Sequence, residues 1–120
     1  MTEEQKKEQE GPNLFNAKVL DTILDDDSEQ FLQLIQQRED INFEFKLTNY
    51  KLPELLLYGP PIACVCLFFN SEKCFYSMVN QMADGIESAK LKKKDRMGRG
   101  LAHFCAFGGN LNIFRELNQA

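Results

Sequence analysis

The chain has 120 residues, 43% hydrophobic and 27% charged, a composition that supports one folded domain with a core and excludes both a disordered chain and a two-domain one. Its 18 acidic against 14 basic residues leave a net charge of -4, which argues against a general nucleic-acid binder. The longest apolar run, Pro61 to Phe69, is about half a bilayer span and carries a Pro-Pro step, so neither a membrane span nor a membrane partner is expected.

The amino terminus, MTEEQKKEQE, has no apolar segment of the kind a secretory signal needs. A reducing, cytoplasmic compartment is therefore expected, and the four cysteines read as thiols. Charge is unevenly divided: residues 1–54 hold 13 acids against 6 bases, and residues 55–120 hold 5 against 8. Residues 1–13, almost without apolar side chains and broken by Gly11-Pro12, read as a flexible acidic tail. Beyond them short helical patterns alternate with turn signals. Val19, Leu20, Ile23 and Leu24 form one apolar face; after Asp25-Asp26-Asp27, Ser28 is the expected N-cap of a second helix carrying Phe31, Leu32, Leu34 and Ile35. No stretch shows sustained period-2 alternation, so the expected fold is all-α.

Helix pairs joined by tight turns invite a search for repeats. Gly59-Pro-Pro-Ile-Ala63-Cys-Val-Cys66-Leu-Phe-Phe69-Asn-Ser71 superimposes on Gly98-Arg-Gly-Leu-Ala102-His-Phe-Cys105-Ala-Phe-Gly-Gly-Asn110, with Gly on Gly, Ala on Ala, Cys on Cys and Phe on Phe. Each copy runs into a second amphipathic segment, with Cys74, Phe75 and Met78 in one and Ile113, Phe114 and Leu117 in the other. Val19 to Ile35 fits the same frame more loosely, with Asp27 set against Asn70 and Gly109.

Asp95 to Leu117 resembles an ankyrin repeat, whose signature centres on T-P-L-H-x-A; Asp95, Gly98, His103, Ala106 and Gly109 carry the match. Gly100 and Leu101 replace the usual Thr-Pro. In the middle copy Pro61 and Cys64 stand for Thr and His, and Asp40-Ile41-Asn42 resembles the finger between repeats. The spacing, 39 residues here and about 43 for the first two copies, exceeds the family's roughly 33, the surplus falling in 43–57 and 83–95. The chain is similar to the divergent ankyrin proteins expanded in parasitic protists. That resemblance implies a solenoid of about three stacked helix pairs with irregular loops, near 14–42, 56–82 and 95–119. Small residues (Ala63, Cys64, Cys66, Ala102, Cys105, Ala106) would form the stacking face, and His103 would hydrogen-bond between neighbouring loops. Gly108-Gly109 would close one helix and Asn110 cap the next.

The implied function is non-enzymatic protein binding by a scaffold or adaptor. Arg96, Met97 and Arg99 fall at the finger tip, where the family touches partners, and Phe68, Phe69 and Phe107 fall where its binding groove lies. Aromatics there bury much area at little entropic cost, and Phe69 and Phe107 are the expected exposed anchors. The six bases from Lys90 to Arg99 read first as a solvated loop, with an acidic partner or nuclear import through Lys90–Arg96 as the sharper readings. The alternative role is an uncapped fragment that self-associates through a sticky last face around Ile113, Phe114 and Leu117.

Other chemistry is disfavoured. Cys64 and Cys66, two apart on a helix, diverge by about 160° and cannot chelate one metal, and no C-x-x-C redox pair exists. His103 and Cys105 diverge in the same way, so no dyad and no cofactor is expected. Asp25 to Glu29 lacks the alternating ligands and Gly of a calcium loop and reads as a solvated turn whose acids favour a helix N-terminus.

Overall fold

The computed structural model describes the backbone of residues 3–48 and 50–119 and the side chains of residues 13–48 and 50–118. The chain forms α1 (Glu3–Leu24), α2 (Ser28–Ile35), α3 (Ile62–Phe68), α4 (Glu72–Val79), α5 (Leu101–Gly108) and α6 (Leu111–Gln119), with 3-10 turns at Glu54–Leu56, Gly85–Glu87 and Ala89–Lys92. It is all-α among the described residues. The backbone is already helical from Glu3, so Gly11-Pro12 lies inside α1 rather than ahead of it.

The three helix–helix turns share one geometry. Asp26, Asn70 and Gly109 all adopt left-handed backbone, with φ of 50, 54 and 80°. The next residue in the first two turns donates its amide five residues back, Asp27 to Thr22 at 2.9 Å and Ser71 to Cys66 at 2.8 Å. That pattern satisfies carbonyls that a helix end leaves open. Gly59 and Gly98, at matching places before α3 and α5, also have positive φ, 66 and 77°. The alignment of the second and third copies therefore holds in the backbone. The first copy shifts by one: Asp26, not Asp27, stands with Asn70, and Asp27 is the N-cap of α2, accepting from the Gln30 amide at 3.3 Å. Ser28, the expected cap, is the first helical residue.

The turns are tied to each other. Asp26 extends its carboxylate to the amides of Lys73 and Cys74 (3.3 and 3.0 Å), covering open donors in the first turn of α4. The aspartates there are thus more than a solvated turn. The buried Ser71 hydroxyl donates to the Ile23 carbonyl, and the Asn110 side-chain amide donates to the Asn70 side chain at 2.9 Å.

Packing follows the same frame. The second helix of each pair lies on its first; α3 packs on α5, and α2 on α4. Val19, Ile23, Phe31, Ile35, Ala63, Cys64, Cys66, Leu67, Phe75, Met78, Phe104 and Ile113 make up much of a continuous core. The long first connection contributes Phe43, Phe45 and Leu47, buried, while Glu44, Lys46 and Thr48 face out. This is a short extended run with period-2 burial, bridged at Glu44 to Pro61 and closed by Phe45 N–H to Pro60 C=O (2.8 Å) and Ile62 N–H to Phe43 C=O (3.0 Å). Below it the fully buried Asn42 joins the loops: its side chain accepts from the Ala63 amide (2.9 Å), capping α3, and donates to the Lys90 carbonyl (2.8 Å).

Candidate interaction surface

Two residues before each left-handed turn residue stand Leu24, Phe68 and Phe107, so three successive first helices carry an apolar side chain at one register. Leu24 is 55% exposed and Phe107 63%, whereas Phe68 is half-buried between its neighbours. The Phe68 and Phe107 rings stack at 4.8 Å and 8°, and Phe69 meets Phe68 edge-on at 4.8 Å and 81°. Gly108 permits this approach, because a Cβ there would strike the Leu67 carbonyl oxygen. Phe107 is thus exposed, as expected. Phe69 is not: it is half-buried against the core edge, since the turn after α3 folds its ring back onto Phe68.

The finger tip is organised by Asp95. Its buried carboxylate accepts from the amides of Met97 (2.9 Å) and Arg99 (2.8 Å) and from Arg99 Nε (2.7 Å). Burial pushes this carboxyl up, and the Arg99 and Met97 hydrogen bonds and the Arg99 charge more than offset that, leaving it below the usual aspartate range. Arg99 is consequently committed inside the molecule, its guanidinium 5.3 Å from the Tyr58 ring centroid and 5.8 Å from that of Phe104. It does not stand free to choose a partner. Arg96 is exposed but anchored, through its amide to Tyr58 C=O (2.9 Å) and its guanidinium to Leu57 C=O (3.1 Å). Met97, 62% exposed, tops the finger, and Gly98 supplies its positive-φ bend. Of the neighbouring lysines, Lys93 pairs with Asp40; Lys90, Lys92 and Lys94 are exposed and in no ion pair among the described residues.

The structural roles expected of His103 and Ala106 do not hold. His103 is exposed, touches the Phe104 ring at 6.0 Å, and makes no hydrogen bond among the described residues. Ala102 and Ala106 are likewise exposed, because no described element lies on that side of α5. In α6 Ile113 is buried and Phe114 and Leu117 half-buried; its exposed apolar residue is Leu111, at 67%. Gly109 closes α5 and Asn110 accepts from the Ile113 amide at 3.0 Å, as the sequence indicates.

Cys64, Cys66, Cys74 and Cys105 are free and buried. Burial pushes the thiols of Cys64 and Cys74 up to about 12, so neither is a thiolate at neutral pH. No group of three or more His, Cys, Asp or Glu residues suited to a metal occurs among the described residues. Nor is any described helix long and apolar enough to cross a membrane.

Sequence reasoning missed Leu24, Asp26 and Tyr58. The first two become visible only when the copies are aligned on the turn residue, and Tyr58 only when Arg99 is seen to fold back on it. Compared with protein-family models, curated proteins and solved structures, the chain finds no match.

Proposed function

We propose that this is a divergent ankyrin-type repeat protein that binds another protein without catalysis. Its binding surface is the row Leu24, Phe68 and Phe107 together with the finger tip at Arg96 and Met97. The observation that carries the reading is the Phe68–Phe107 stack: a pre-ordered aromatic step with one ring 63% exposed, built from equivalent positions of successive helix pairs. An anchor already held in place forfeits little entropy on binding. The ankyrin assignment rests on the sequence signature and is supported by the left-handed residue shared by the three turns and by the packing of α3 on α5 and of α2 on α4.

The partner is acidic near the finger, where Lys94 and Arg96 present exposed charge, and apolar near Phe107. The test is capture from a cytosolic lysate by the wild type and by a Phe107→Ser/Met97→Ser/Lys94→Glu variant of equal helicity. A specific protein retained by the first and lost by the second supports the reading. Identical captures, or none, overturn it.

A further inference from the structure

The chain leaving α2 and the chain leaving α4 border a hollow of about 480 Å³, inside the span of small-molecule sites, about 300–1,000 Å³. Its apolar lining is the half-buried Ile41 and the buried Met82. Gln36 and Gln81 also line it, and the Gln36 Nε2 donates to the Gln81 Oε1 at 3.4 Å, which ties the C-cap residue of α2 to the stretch after α4. Among the described residues nothing engages the other ends of these two amides, the Gln36 carbonyl oxygen and the Gln81 amino group.

The remaining polar lining is unsatisfied in a particular way. Ser88 is only 7% exposed, and its hydroxyl accepts from the Lys90 amide at 3.3 Å. Among the described residues that hydroxyl donates to nothing, although a hydroxyl so buried ordinarily finds an acceptor. Asp84 and Lys90 line the same hollow, and among the described residues neither forms an ion pair, with the other or with any third group. Ser88 and Lys90 together suit an oxyanion, and Asp84 suits a cation. A simple anion would meet the Asp84 charge and a simple amine the Lys90 charge. A molecule that carries both charges meets neither objection.

We infer that this hollow binds a free α-amino acid. Its carboxylate lies at the Ser88 hydroxyl and the Lys90 ammonium, its own ammonium at Asp84, and its side-chain carbons against Ile41 and Met82. Charge-assisted hydrogen bonds of this kind fix orientation as well as affinity. The open acceptor of Gln36 and the open donor of Gln81 complement a carboxamide, so a side chain such as that of glutamine uses every open group. The site shares no residue with the surface proposed above, and the two stand or fall separately.

The test is titration of the 120-residue chain with L-glutamine to about 10 mM, followed by the NMR shifts of its backbone amides. Saturable shifts at Gln81, Asp84, Ser88 and Lys90 are expected, with a dissociation constant at or below about 1 mM. N-acetylglutamine, which lacks the ammonium, and glutaminamide, which lacks the carboxylate, each bind at least about tenfold more weakly. Lys90→Ala and Asp84→Asn each weaken L-glutamine by about the same factor, whereas Lys92→Ala, outside the hollow, leaves it unchanged. All three residues are exposed, and circular dichroism checks that the variants stay folded. No saturable shift, equal binding of the two analogues, or equal losses from Lys90→Ala and Lys92→Ala would each overturn the inference.

Discussion

In the middle helix pair Ala63, Cys64 and Leu67 are buried, while their counterparts in the last pair, Ala102, His103 and Ala106, are exposed, although α3 and α5 both end in a left-handed turn at the same register. Identical periodicity has produced a covered face in one pair and a bare one in the other. The difference separates two properties that a sequence pattern runs together. Spacing and small side chains make a helix able to stack, but only a neighbour makes its face a core.

The comparison is broken most directly at Leu67 and Ala106. Leu67→Ala is expected to cost about 2–4 kcal/mol, because the cavity opens under α5, whereas Ala106→Leu stays within about 0.5 kcal/mol at an exposed site. Urea midpoints decide this, and comparable losses at the two positions would mean that α3 and α5 do not share a register. A sharper contrast, smaller in size, lies in adjacent glycines of one turn. Gly108→Ala drives a methyl into the Leu67 carbonyl and costs about 1–3 kcal/mol. Gly109→Ala meets no atom within 4 Å and costs about 1 kcal/mol through its φ of 80° alone. The order of their melting temperatures is the check.

A further modest effect concerns the finger. Asp95→Asn is expected to cost about 1–2 kcal/mol at neutral pH, because the Arg99 guanidinium loses its charged partner. The Asp95 carboxyl titrates lower in the folded chain than in the unfolded one. Its contribution is therefore complete above the ordinary aspartate value, about 3.9, and drains away as pH falls through the lowered folded value. Wild-type and Asp95→Asn stabilities should converge in acid. A gap that stays constant would show that Asp95 acts only by shape.

How much of this was legible depends on local marks in the chain. The second and third copies align because Gly59 and Gly98 punctuate matching bends, and Gly109 advertises a turn that Asn70 also makes. The first copy slips by one residue because three consecutive aspartates give no sign which of them will turn left-handed. The buried alternation of Phe43, Phe45 and Leu47 spans too few residues to stand out from loop sequence. The fate of Arg99 is decided by Asp95, Tyr58 and Phe104 together, a convergence of three segments that no spacing rule contains. Exposure in the last pair escapes the sequence for a related reason: apolar residues recur along α6 whether or not they are covered, and Ile113 is fully buried while Leu111 is not.

Gly108, already seen to let α5 approach the Leu67 carbonyl, has a consequence on a larger scale. A side chain at this position would part α5 from the end of α3 and with it the stacked rings of Phe68 and Phe107, so a residue that presents nothing to a partner holds the aromatic step in place.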